Sequence, residues 1–253
     1  GSTTCTAMRL HWNYAASGLA GTNEMDLAVL GIEMAYIPEG AFSLGSGGTE
    51  SRHFYRYPDE ATSFVVTNEG AITVGSETGN LYYSDGGDYV SILAAFPKGY
   101  RSFYCMKYEI TEGQYVDFLN LLDPGIAASY YPDRSGQNRH TIHTDSGVYT
   151  SDAPTRACGW LHGSWILTYM DWCGLRPMTE LEFEKACRGV RTPWINEYPW
   201  GNTTAISQTG HDGTDGSGTE TATPTNANTS CCNEMGGPVR VGIYAKETSS
   251  RQD

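Results

Sequence analysis

Basic residues are scarce in this chain: 16 Lys and Arg stand against 29 Asp and Glu, for a net charge of −13. A phosphate backbone would be repelled and no basic stripe offsets the repulsion, so nucleic-acid binding is disfavoured. The acidic surface serves solubility first and attraction of divalent cations second. No apolar run approaches the roughly 20 residues a bilayer demands, so no membrane span is expected. The first residues are Gly-Ser, with neither Met nor a signal peptide, which reads as a start inside a longer precursor or at a cloning scar. No CxxC pair occurs, which leaves a zinc ribbon or thioredoxin-type motif without support. The Gly-x-Ser-x-Gly elbow, the Walker loop and the dinucleotide fingerprint are missing as well.

What the 253 residues do contain is 30 Gly, 17 Tyr and 6 Trp in a chain that is 39% apolar. That length buries one substantial core or two small ones. The composition favours turns and short strands over a helical bundle. Residues 1–30, with the partly alternating CTAMRLHWNY, are expected to form a strand or an exchanged arm ahead of a domain at 31–253. In IEMAYIPEGAFSLGS, 32–46, two short strands flank the Pro38-Glu39-Gly40 turn, with Met34, Tyr36, Phe42 and Leu44 as the apolar positions. FVVT, AITVG and LYYSDGGDYVSIL suggest further strands or hairpins.

Three helices announce themselves by their punctuation. In YEITEGQYVDFLNLL, Thr111 and Gln114 make a capping box, and Asp123-Pro124-Gly125 is the stop. Residues 124–153 look like loop, and a second helix is expected over about 160–172. The third lies in LRPMTELEFEKACRG, where Thr179 and Glu182 form a capping box and Gly189 a left-handed stop. Phe183, Ala186 and Cys187 would face inward. Glu180, Glu182 and Glu184 oppose the helix dipole at one end, Lys185 and Arg188 at the other, so these charges need no catalytic explanation. Residues 202–237 turn polar and rich in Gly and Thr; GHDGTDGSGTE lacks EF-hand spacing and reads as a flexible surface loop. GPVRVGIYA, 237–245, is expected as a final strand.

Seven cysteines, at 5, 105, 158, 173, 187, 231 and 232, forbid complete intramolecular pairing. Disulfides in an oxidising compartment are compatible with them, whereas Cys173 and Cys187 sit in helical patterns where buried free thiols are the rule. The adjacent Cys231-Cys232 could hold two separate bridges, one vicinal bridge or a soft metal, with bridging to distant partners the ordinary outcome. His140 and His143, in HTIH, have a metal-compatible spacing but no visible third ligand, so a solvated pair is the plainer interpretation.

The segments YIPEGAFSLGS, FYCMKYEITEGQYVDFLN, YMDWCGLRPMTELEFEKACRG, EYPWGN and PVRVG together resemble the formylglycine-generating enzyme/sulfatase-modifying-factor family, in the family's order, across roughly residues 32–245. Their spelling is most similar to secreted bacterial members. The resemblance implies an α+β fold related to C-type lectins, with few helices, short strands and long loops. It makes the Pro-Thr-Glu helix a packing element and places Tyr198 and Trp200 in the core. It also implies that oxidase members use copper(I) held by two cysteines in a C-terminal region. This chain stops before that region, and none of its seven cysteines matches the pair. Thiolates suit copper(I), yet neighbouring Cys231 and Cys232 cannot easily oppose each other across one ion, so copper is not expected here. Structural calcium is implied after the Pro-Trp-Gly turn, with Asn226, Asn228, Asn233 and Glu234 as candidate ligands.

No catalytic or cofactor-binding residue is assigned. The expected function is therefore a secreted or cell-surface, non-catalytic structural or binding protein with a protein or glycan partner or self-association. The alternative is the N-terminal portion of a copper-dependent formylglycine-generating oxidase.

Overall fold

In a computed structural model, residues 11–22, 24, 28–87, 89–230 and 235–245 are described. The chain divides into two compact units, 1–33 and 34–253. Most of the expected N-terminal strand lies outside the described residues. His11–Asn13 have no regular structure, and Tyr14–Ser17 form one turn of 3-10 helix capped by the Asn13 side chain.

The second unit is mixed α+β, as expected. Its strands are β1 (Met34–Ile37), β2 (Phe42–Leu44), β3 (Phe54–Arg56), β4 (Phe64–Val66), β5 (Leu81–Tyr83), β6 (Phe103–Met106), β7 (Ile142–Asp145), β8 (Val148–Ser151), β9 (Gly210–Asp212) and β10 (Thr221–Thr223). They pair as five antiparallel two-stranded ribbons, β1 with β6, β2 with β4, β3 with β5, β7 with β8 and β9 with β10. The two strands flanking Pro38-Glu39-Gly40 therefore both exist, but each pairs with a distant partner. Phe42 and Leu44 are buried as expected, whereas Tyr36 points outward.

Among the described residues there are four helices, α1 (Glu112–Leu121), α2 (Pro124–Tyr130), α3 (Gly163–Trp172) and α4 (Glu180–Arg188); α1 packs on β8 and α4 on β2, while α2 and α3 pack on α1. Both capping boxes form. Thr111 accepts from the Gln114 amide and Thr179 from the Glu182 amide, each at 3.1 Å. The stretch 124–153 is not loop. α1 stops at Leu121, just before Asp123-Pro124-Gly125 as expected, and Asp123 also caps α2, accepting from the Gly125 amide at 3.0 Å, with Pro124 in the first turn, where its missing N–H costs no bond. The β7–β8 hairpin follows in the same stretch. Residues 237–245 do not form a strand either; one bridge joins Arg240 to Arg156, and turns follow.

α4 departs from its expected orientation. Phe183 is 51% exposed, and the buried positions are Leu181, Glu182 and Lys185. Leu181 joins Phe42, Leu44, Val66, Ile72 and Leu81 in one core. Lys185 donates to the Gly99 and Tyr100 carbonyls at 2.6 and 3.1 Å, so its buried ammonium is satisfied by backbone. Gly189 has φ 73 but ψ −159, so it ends the helix with a positive φ and not in the left-handed helical region. A second core gathers Tyr115, Phe118 and Leu119 of α1 with Ala127, Ile142, Tyr149 and Tyr169. Phe118 meets Tyr169 and Trp172 edge-on at 5.6 and 5.3 Å, geometry that favours aromatic pairs.

Candidate functional site

The densest polar chemistry lies between α1, the β7–β8 hairpin and the polar segment after residue 205. Glu112, in the first turn of α1, is fully buried. Its carboxylate accepts from the Thr141 amide at 3.1 Å, the Thr141 hydroxyl at 2.5 Å and the Ser151 hydroxyl at 2.7 Å. His140 Nδ1 lies 3.5 Å from the same carboxylate. Burial holds His140 below its ordinary value of 6.5 despite the nearby Glu112, so the ring is neutral at physiological pH.

Beside this group, Arg139 donates to Asp215 and, at 2.8 Å, to Glu220. Arg156, almost wholly buried, donates to Asp215 at 2.6 Å and to the Arg139 carbonyl. Glu220, fully buried, also accepts from the Gly216 amide at 2.8 Å. Burial opposes ionisation of Asp215, but hydrogen bonds and charge from the two arginines outweigh it and hold its carboxyl below 3.8. The GHDGTDGSGTE stretch is thus an arginine-gripped tip of the β9–β10 ribbon, not a free loop. Every carboxylate here has arginine, hydroxyl or backbone partners, which makes the network structural. Sequence reasoning missed it because its members come from four separate segments.

Two open clefts are present; the first borders this framework at Arg240, and the second shares no lining residue with it. One, of about 540 Å³, is lined by Glu109, Asn228–Ser230 and residues 237–244. The other, of about 410 Å³, lies over α4 and is lined by Ile37, Pro38, residues 185–191 and residues 197–201. Tyr198 and Trp200 stack in its wall, centroids 4.6 Å apart and planes 13° apart. Neither is the core residue expected: Tyr198 is 43% exposed, and Trp200 is half-buried with its indole N–H donating to Asn202 and Thr204. Arg188 crosses the floor, bonding Glu184 at 2.7 Å and the Glu197 carbonyl at 3.1 Å.

The candidate calcium ligands do not converge among the described residues. Asn226 is exposed, and Asn228 uses its carboxamide both ways, accepting from Ile206 N at 2.8 Å and donating to Thr204 O at 2.9 Å. Asn233 and Glu234 lie outside the described residues, as do Cys5, Cys231 and Cys232. Among the described residues, no group of three or more His, Cys, Asp or Glu is placed to hold a metal ion. In HTIH, His140 is buried rather than solvated, and His143 instead bonds Thr141 O and Thr150 Oγ1.

Cys105, Cys158, Cys173 and Cys187 are free thiols. Burial pushes all four thiols up, Cys187 to about 11. Copper(I) binds thiolates, so loading any of these four would first have to displace a proton that burial holds in place.

Comparison with known proteins fits this framework. The model of the sulfatase-modifying factor enzyme 1-like domain matches residues 50–231. The chain is 27% identical over 213 residues to the formylglycine-generating enzyme of Mus musculus, an alignment covering 77% of this chain and 53% of that protein. The chain thus spans about half the length of the curated relative it matches. No solved structure matches it.

Proposed function

The chain belongs to the sulfatase-modifying factor enzyme 1-like family, and from that premise we propose that it is a secreted, non-catalytic binding protein that self-associates through the cleft over α4. The carrying observation is that cleft's aromatic wall. Tyr198 and Trp200 are held stacked beside Arg188, and Phe183, Val190, Trp194 and Ile195 are exposed on or next to the same segments. Trp, Tyr and Arg are the residues in which interface energy concentrates, and the two aromatics bury large areas at small entropic cost. A second copy of this acidic chain can meet such a face without bringing a basic surface. The extracellular placing rests on resemblance to secreted bacterial members, and calcium, if bound, would draw on Asn226, Asn233 and Glu234.

A second function is favoured by one specific finding, the likeness to a formylglycine-generating enzyme. In that case the whole protein oxidises a peptide cysteine, with thiols outside the described residues as the copper ligands.

Two measurements separate these. Sedimentation over a concentration series should show association that Tyr198→Glu abolishes; a monomer at every concentration would overturn self-association. Incubation of the chain with copper(I), oxygen, a thiol reductant and a cysteine-containing peptide should yield no aldehyde. Conversion of its cysteine to an aldehyde would overturn the non-catalytic assignment.

A further inference from the structure

β5 places two tyrosines on opposite sides of the β3–β5 ribbon. Successive strand residues point to opposite faces, and directly opposed residues share one. Tyr83 stands across from Phe54, which packs on the core around Leu181. Tyr82 stands across from Tyr55, on the other face. There Tyr82 is the hub of a tyrosine cluster, its ring centroid 5.2 Å from Tyr55, 5.3 Å from Tyr57 and 5.1 Å from Tyr89. Tyr55 is buried, Tyr57 and Tyr82 are half-buried, and Tyr89 is 46% exposed. Of the three contacts, the one to Tyr89 also joins the phenol ends, because the Tyr82 and Tyr89 hydroxyls are hydrogen-bonded to each other. By contrast, Tyr115, Tyr131 and Tyr244 donate their hydroxyls to carbonyl or carboxamide oxygens. On a phenol the ortho carbons flank the carbon that bears the oxygen. Hydroxyls in contact, on rings tilted by 34°, therefore bring ortho carbons of Tyr82 and Tyr89 together.

We propose that Tyr82 and Tyr89 are an oxidative modification site, at which a one-electron oxidant such as a peroxidase with hydrogen peroxide joins the two rings as dityrosine. This is independent of the function proposed above, since neither residue lines the cleft over α4. The ordinary alternative is a pair of tyrosines that bury area and satisfy each other's hydroxyls. Against it stands the openness of the pair to solvent, where water satisfies a hydroxyl equally well, so burial does not force the two together.

The reaction balances as follows. Each hydroxyl gives an electron and its proton to the oxidant, leaving a phenoxyl radical whose unpaired electron is shared between the oxygen and the ortho carbons. One ortho carbon of each ring forms the new bond, and the hydrogen displaced from each passes to the oxygen of its own ring, restoring two aromatic phenols. Two phenols lose two electrons and two protons in all; one hydrogen peroxide accepts them and leaves as two waters. The oxidant's haem carries the electron transfer, and this chain supplies proximity, holding the two reacting rings as neighbours. The hydrogen bond to Tyr82 holds the Tyr89 phenol above its ordinary value of 10, so at neutral pH it reacts with its proton on. The bond fastens the turn at Gly86 and Gly87, both at positive φ, to the end of β5.

The test is treatment of the folded full chain, at high dilution, with a haem peroxidase and equimolar hydrogen peroxide, followed by dityrosine fluorescence and peptide mapping. The expected product is a monomer lighter by two hydrogen atoms, with Tyr82 linked to Tyr89. Tyr36 and Tyr104 give an internal comparison: their rings are as close, at 5.2 Å, and they are 56% and 65% exposed, but they share no hydroxyl bond. The Tyr82–Tyr89 link should form in several-fold higher yield than a Tyr36–Tyr104 link. Tyr89→Phe, which keeps the ring and removes the hydroxyl, should abolish the product, and Tyr57→Phe should leave it. The proposal is overturned if Tyr36–Tyr104 forms in equal or greater yield, or if Tyr82 couples to Tyr55 or Tyr57 instead. It is equally overturned if links form only between chains, if Tyr82 and Tyr89 remain unlinked once the peroxide is consumed, or if the Tyr89→Phe protein gives the same fluorescent product.

Discussion

Replacing Glu112 with Ala tests the physical account of the buried network most directly. The carboxylate serves three donors: the Thr141 amide, the Thr141 hydroxyl and the Ser151 hydroxyl. The two hydroxyls lie 3.0 Å apart, so without Glu112 they can still bond each other. The Thr141 amide has no such substitute, and His140 loses the only charged group drawing a proton towards it. An orphaned buried donor costs about 1–3 kcal/mol, and hydrogen bonds to a charged group contribute about 1.5–3 kcal/mol each. Allowing for the rescued hydroxyls, the loss should be about 3–5 kcal/mol, the range found when one partner of a buried charge cluster is removed. For a unit of this size that lowers Tm by roughly 6–20 °C. Urea denaturation followed by tryptophan fluorescence reads the loss directly. A double-mutant cycle with Thr141→Val should then give a coupling of about 1–2 kcal/mol, since the two side chains share bonds. A loss below about 1 kcal/mol, or additive effects of the two substitutions, would refute the view that Glu112 organises this region.

Two other measurements probe separate parts of the same reasoning. Acid should destabilise the protein in two stages. His140 is held below 6.5 chiefly by burial, so the unfolded chain takes up a proton first and stability falls as pH drops below about 6.5; His140→Leu should flatten that limb. Glu182 is opposed by its burial but held below 4.5 by Arg176 and the Thr179 amide, and Asp215 lies below 3.8, so their contributions persist above those values and disappear as pH falls through the lower folded values. A single transition with no His140-dependent limb would contradict this. The ribbon tip gives a steric test. Gly213 has φ +81, and a Cβ there would sit 2.1 Å from the Thr219 carbonyl oxygen, whereas Gly136, at φ +79, faces open space. Gly213→Ala should therefore cost at least about 2 kcal/mol and Gly136→Ala about 1 kcal/mol, and equal losses by chemical denaturation would show the close approach to be unimportant.

Local rules were legible and non-local ones were not. The capping boxes at Thr111 and Thr179 could be read because each is completed within three residues, before any tertiary contact is made. The burial of Phe42 and Leu44 followed from alternation for the same reason. Pairing of β2 with β4 and of β3 with β5 leaves no mark in either partner alone, since any half-buried strand presents the same pattern. α4 misled because its apolar residues are few. Phe183 looked like the inward anchor, yet the buried line runs through Leu181 and Lys185, one turn apart, where a lysine reaching backbone carbonyls has the pattern of a surface charge. Asp123-Pro124-Gly125 was legible only in part, as the stop of α1 and not as the start of α2. The same Asp-Pro that stops one helix is also a good cap and first turn for the next, and only packing of Ala127 against α1 decides between them.

The polar network explains how a segment with almost no core-forming side chains is fixed in place. Between Thr203 and Ser230 only Ile206, Ala205, Ala222 and Ala227 are aliphatic, so burial of apolar area cannot hold the segment alone. Charge does it instead. Glu220 enters the interior already matched to Arg139, while Asp215 bridges Arg139 and Arg156, and Arg240 donates to the Glu220 carbonyl at 3.0 Å. Each ion alone would be costly to desolvate; together they are mutually neutralised and nearly all hydrogen-bonded, which is the condition under which burial of charge is tolerated. The arrangement also makes position specific. An apolar patch would tolerate sliding of a Gly-rich segment, but forked guanidinium groups accept carboxylates only in a few geometries. Arg139 precedes β7 and Arg156 follows β8, so the tip of the β9–β10 ribbon is fastened to both ends of one hairpin, and through Glu112 that hairpin is fastened to α1.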